Sequence, residues 1–174
     1  SNLIESKLIL SELEFKLKNY KESYELIKLY ANDDTKKMFF VQQLIKEDNL
    51  EFAQIVINEI IKTSNNNDII QKAIFTLAQI FEIKLNSNPQ QMPISSIINN
   101  NTLLKSPFIK LNSEYSDLLN NTINIYDSLS LNFNDIKSKY HLAEIRYRIL
   151  GDLDRANILY QDIYKKSRNN KYKN

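Results

Sequence analysis

Glycine occurs once in this chain, at Gly151, and proline only three times. Tight turns and β-hairpins draw on the positive φ of glycine and the fixed φ of proline, so a chain this poor in both reverses direction mainly where helices end. The composition therefore reads as all-α, with long helices joined by short polar turns. The lone glycine stands inside YHLAEIRYRILGDLDRANILYQDIY, residues 140–164. After Ile136, the positions Tyr140, Ala143, Tyr147 and Leu150 step by three and four along one helical face. Asn134 is the expected N-cap of that helix, and Gly151 lies just past its end, where a left-handed residue without a Cβ meets no clash. Asp152 is placed to cap the next helix, whose stripe is Leu153, Ala156, Tyr160 and Ile163. A joint this short requires the two helices to fold back antiparallel.

Two earlier segments follow the same grammar. In LKNYKESYELIKLY, residues 17–30, Asn19 and Glu22 are spaced as a capping box before a stripe of Tyr20, Ser23, Ile27 and Tyr30. In KEDNLEFAQIVINEII, residues 46–61, Asp48 and Glu51 form the box and Leu50, Ala53, Ile57 and Ile60 the stripe. In each hairpin a bulky residue is followed three positions on by a small one, which lets two helices approach closely. Helices are expected near 3–18, 20–31, 35–47, 50–62, 68–85, 113–130, 135–150 and 152–166, with Asp68 and Gln71 as a further box. Residues 86–112 hold all three prolines and break the pattern. Their apolar residues, among them Ile94, Ile97, Ile98, Leu103 and Phe108, favour burial, and a short helix is expected to start near Pro93.

Residues 140–163 resemble the tetratricopeptide repeat, a helical hairpin of about 34 residues. Tyr140 and Tyr147 stand at aromatic positions of that family, Gly151 and Asp152 at its turn, and Ala156 and Tyr160 at its second-helix alanine and aromatic. Leu50 and Ala53 match a second repeat in part, and Tyr20 and Ser23 suggest a degraded first. Ala143 and Glu144 replace the family's leucine and glycine, Ile163 its second small residue, and Arg168 its usual proline. The closing unit is also similar to bacterial envelope-assembly proteins of the BamD and YbgF kind. The resemblance implies antiparallel helical hairpins stacked as an irregular right-handed superhelix, a single TPR-like helical-repeat domain over residues 1–174. Residues 86–112 would be an irregular insertion and 165–174 a basic polar tail, the whole being a piece of a larger protein in which Ser1 and Asn2 are compatible with a tag remnant.

Charge and composition narrow the function classes. The 23 Lys and Arg nearly balance the 21 Asp and Glu, so no global field draws the chain to nucleic acid or anionic lipid. Cysteine is absent, which removes disulfides, thiolate nucleophiles and thiolate metal sites. No stretch reaches the roughly 20 apolar residues of a membrane span, and no apolar run follows a basic start as in a signal peptide. The expectation is a soluble domain, cytoplasmic or periplasmic.

Candidate chemistry is sparse. His141 shares a helix face with Glu144, but it is the sole histidine; a metal site or a general base would need more groups, and a surface histidine is the expected account. One glycine cannot build a phosphate loop. Glu47 and Asp48 fall at a helix junction, where carboxylates cap free N–H groups. Lys165, Lys166, Arg168, Lys171 and Lys173, interleaved with Tyr164 and Tyr172, could touch phosphates and bases, but read first as a solvated helix end. Several of the 10 tyrosines, including Tyr20, Tyr30, Tyr140, Tyr147 and Tyr160, fall on expected core stripes, and core packing is the expected account of most of them.

The repeat resemblance supplies the remaining site, since first helices of successive units line a concave groove. Carried over by position, it implies Gln42 and Lys46, Lys72 and Gln79, and His141, Ile145 and Arg148 as groove residues. The equally open reading is that these are ordinary solvated side chains. The function expected is a non-catalytic scaffold that binds another protein or a peptide in this groove, with no cofactor, metal or small-molecule substrate. The alternative is a structural module for self-association or envelope complex assembly, through the stack ends or segment 86–112. Nucleic-acid binding by the tail is the lesser expectation.

Overall fold

The structure, a computed structural model, describes residues 2–31, 33–87 and 113–171. The expected helix near Pro93 and the apolar residues of segment 88–112 lie outside the described residues, as does the end of the tail. The described residues form α-helices and no strand: α1 Asn2–Lys16, α2 Tyr20–Tyr30, α3 Asp34–Lys46, α4 Leu50–Thr63, α5 Asn67–Asn86, α6 Ser113–Asn132, α7 Ile136–Arg148 and α8 Leu153–Lys171. The chain divides into two compact units, residues 1–80 and 81–174, with the division falling inside α5.

In the first unit α1 packs on α2, α2 on α3 and α3 on α4. The α1–α2 contact is made possible by two small residues. Ser11 and Ser23 are both buried; each hydroxyl donates to the other's backbone carbonyl, Ser11 Oγ to Ser23 O at 2.9 Å and Ser23 Oγ to Ser11 O at 2.8 Å. A close crossing of this kind excludes larger side chains and satisfies both hydroxyls without water. Around it, Phe15 meets Tyr20 and Phe40 edge-on, Phe40 lies stacked on Tyr24, and Phe52 packs edge-on against both. Val41, Leu44, Ala53, Val56, Ile57 and Ile60 complete the core between α3 and α4.

In the second unit α6 packs on α7 and α7 on α8, around Tyr126, Leu129, Leu142, Ala143, Ile145 and Ala156. Because α7 lies against two helices, its buried surface is wider than one stripe. Ser138, Lys139, Leu142, Ala143 and Ile145 are inside, whereas Tyr140 and Tyr147, expected on the core face, are 47% and 51% exposed. Leu153, expected on the stripe of α8, is likewise exposed, while Ala156 is fully buried.

The turns between paired helices share one design. Lys18, Asp48 and Gly151 adopt left-handed φ of 64°, 58° and 63°, and the next residue, Asn19, Asn49 or Asp152, opens the following helix. Four positions later a small residue is buried: Ser23, Ala53 and Ala156. At the first two turns the 6→1 and 5→2 backbone bonds of the Schellman motif close the helix, Asn19 N to Glu14 O and Lys18 N to Phe15 O, then Asn49 N to Leu44 O and Asp48 N to Ile45 O. Asp48 is therefore the left-handed residue and not the cap; Asn49 accepts from Phe52 N. Two further caps are corrected in the same way. Asn66, not Asp68, caps α5 by accepting from Asp68 N and Ile69 N. Asp135, not Asn134, caps α7 through Lys137 N and Ser138 N, while Asn134 is itself left-handed, with φ 51°. Helix α8 continues to Lys171, beyond the expected end near 166, because its sequence carries no breaker and Lys166 reaches back to Asp162.

Candidate functional site

The concave feature with an exposed aromatic wall is a groove of about 480 Å³ between α1, α2 and α3. Its floor is set by the Ser11–Ser23 crossing, which draws α1 down onto α2, with Phe15, Ile27 and Phe40 around it. One wall is α1, presenting Leu8, Glu12 and Lys16; the other is α3, presenting Lys36, Phe39 and Gln43. Successive helical residues point about 100° apart, and α3 turns Met38, Phe40, Val41 and Leu44 inward, which leaves Phe39 off that face. Phe40 is 4% exposed in the core, and Phe39 stands 62% exposed at the groove. Lys16 and Lys36 against Glu12 leave the rim mildly basic. At the start of α3, Asp33 caps the helix through Thr35 N. Beside it a hydrogen bond from Ser64, and then the Lys37 ammonium 3.0 Å away, hold the Asp34 carboxyl below the usual carboxylate range.

The residues expected to line a groove fall elsewhere. Gln42 and Lys46 are exposed on α3, one step around the helix from the wall formed by Lys36, Phe39 and Gln43. Lys72 is exposed and Gln79 half-buried on α5, and all four belong to the first unit. Ile145 is 1% exposed; it packs in the core and does not line a surface, because α7 buries its 138–142–145 face. Arg148 is exposed and pairs at 2.6 Å with Glu144, whose other oxygen accepts from Tyr160 Oη. Burial, and then its hydrogen bond to Glu144, raise the Tyr160 hydroxyl above its ordinary range.

His141 is not the surface histidine expected from sequence. Its Nδ1 lies 2.8 Å from Glu82 Oε2, the oxygen that also accepts from Tyr126 Oη at 2.9 Å, and its ring stacks on Tyr126 with centroids 5.0 Å apart. Burial pushes the Tyr126 hydroxyl well up, and Glu82 adds to the shift, so the phenol stays a neutral donor. This cluster ties α5, α6 and α7 together inside the second unit. Nothing in the sequence pairs residue 82 with residue 141, because the contact depends on tertiary packing. On α3 the run Met38, Phe39, Phe40 and Val41 holds more bulky apolar residues than its buried face takes, and Phe39 is the one left outside. Among the described residues no group of three or more His, Cys, Asp or Glu is placed to hold a metal ion, and no helix is long and apolar enough to cross a membrane.

No protein-family model, no curated protein and no solved structure matches the chain.

Proposed function

We propose that the protein is a non-catalytic docking module, built from hairpins of the tetratricopeptide kind, which seats an apolar-faced segment of another protein in the groove between α1 and α3. The observation that carries this reading is Phe39, a large ring left 62% exposed above an apolar floor. A small-molecule site needs convergent polar groups that fix a ligand's orientation. Here the two floor hydroxyls are already committed to each other's backbone. The remaining polar groups, Glu12, Lys16, Lys36 and Gln43, are long rim side chains, suited to an irregular peptide backbone and its charges. The expected ligand carries a bulky apolar residue against Phe39 and acidic residues toward Lys16 and Lys36.

A displayed random-peptide library tests the proposal. Selected peptides should share an apolar anchor flanked by acidic residues and lose binding about tenfold or more with Phe39→Ala, a loss of hot-spot size. Lys36→Glu should weaken the same peptides and leave helicity unchanged. Peptides that bind Phe39→Ala and Lys36→Glu as well as the parent protein would refute the groove.

The self-association reading is favoured by a different feature, the apolar outer face of α1.

A further inference from the structure

Helix α1 is apolar on two opposite sides. Leu8, Ser11 and Phe15 face α2 and the groove, while Leu3, Leu10, Leu13 and Leu17 are 64%, 37%, 51% and 68% exposed. With Ser6 these outer positions step by three, four, three and four, the spacing of a coiled-coil seam. The Ser6 hydroxyl donates to Leu3 O, so its polarity is met within the helix. Leu17 remains in register through its N–H bond to Leu13 O. A stripe of this period specifies another helix as its cover, since only a helix presents knobs at matching intervals.

We infer that this stripe pairs with the same stripe of a second copy of the chain, α1 against α1 in antiparallel orientation. The choice of occupant rests on charge. Lys7 and Glu14 occupy the same heptad position at one edge of the seam. A twofold axis passing midway between Leu10 and Leu13 sets Leu10 and Leu13 of one helix against Leu13 and Leu10 of the other, and brings each Lys7 toward the partner copy's Glu14. Parallel pairing would leave both charges opposite Asn2 and Ile9, unmatched. A lipid surface would call for a predominantly basic rim, whereas the flanks of this stripe carry both signs. Beside the seam, an open hollow of about 340 Å³ between Glu14 and α2 exposes Leu29 at 71% and widens the apolar patch. Its Lys21, Glu22 and Glu25 again mix signs, as an isologous interface requires. This inference uses a face of α1 other than the groove wall and stands or falls separately from the groove.

Sedimentation equilibrium over a range of protein concentrations tests it. The parent protein should pass from monomer to dimer mass, and Leu13→Glu should stay monomeric with unchanged far-UV circular dichroism. Lys7→Glu sets two like pairs across the axis and should weaken dimerisation about tenfold. Combining Lys7→Glu with Glu14→Lys should restore it, and this pair of surface substitutions decides the matter even if Leu13→Glu fails to fold. Phe39→Glu should leave the mass unchanged. A parent protein monomeric at every concentration, a dimer insensitive to Leu13→Glu, or a double swap no better than Lys7→Glu alone would overturn the inference. Binding of α1 to anionic vesicles by a monomer would overturn it in favour of a membrane surface.

Discussion

The left-handed junction residues offer the sharpest test of how this chain manages with one glycine. Lys18, Asp48 and Asn134 hold φ of 64°, 58° and 51° despite carrying a Cβ, and Gly151 holds 63° without one. For an L-residue the left-handed region costs ~1–2 kcal/mol, less for Asp and Asn, whose short polar side chains bond locally. Replacing Lys18 by glycine removes that clash but frees the unfolded chain, an opposing effect of ~0.5–1 kcal/mol. The net expectation for Lys18→Gly is a stabilisation of ~0.5–1 kcal/mol, or about 1–4 °C in Tm for a chain of this length. Its side chain is exposed, so little packing is disturbed. Asp48→Gly should gain less, and Asn134→Gly least, since it also removes the oxygen that Lys166 Nζ donates to. Gly151→Ala should run the other way, destabilising by ~1 kcal/mol. Thermal and urea denaturation followed by circular dichroism would give the ranking. If Lys18→Gly lowers Tm, or Gly151→Ala leaves it unchanged, these junctions are not storing the strain assigned to them.

Three further outcomes follow from the packing. Ser23→Ala removes one of the two reciprocal hydroxyl bonds at the α1–α2 crossing and should cost ~1 kcal/mol by urea titration; Ser23→Leu overfills the crossing and should cost ~1–3 kcal/mol and widen the groove above it. The raised Tyr126 hydroxyl favours its protonated form in the fold, so its contribution is intact below the ordinary tyrosine pKa of about 10 and is lost as pH rises. Alkaline unfolding should therefore coincide with a late tyrosine titration seen by ultraviolet absorbance, and Tyr126→Phe should remove that component. Asp34 is depressed, so its stabilisation is present above about pH 4 and lost as pH falls; Asp34→Asn should flatten the acid limb of a Tm-versus-pH curve.

The all-helical class and most helix limits were legible because helix limits are local. The paired turns were visible as an apolar residue followed three positions on by a small one: Tyr20 and Ser23; Leu50 and Ala53; Leu153 and Ala156. The left-handed residue before each was legible only where it was glycine. At residue 48 an aspartate looked like a cap, because Asp is a common N-cap residue and is seldom the left-handed residue that ends a helix. Ile145 was expected at a surface, and Tyr140 and Tyr147 in the core, for a common reason. A stripe argument gives each helix one buried face, whereas α7 packs on two neighbours and α1 and α3 carry more apolar residues than one face holds. Which surplus stays outside depends on where small residues allow a close crossing, and Ser11 finds Ser23 only in three dimensions. The exposed remainder, Phe39 on α3 and the leucines of α1, is where both proposed interactions fall. Removing one surplus should therefore leave the other's binding intact. A loss of peptide binding on Leu13→Glu, in a protein of unchanged helicity, would show that the two faces are one site.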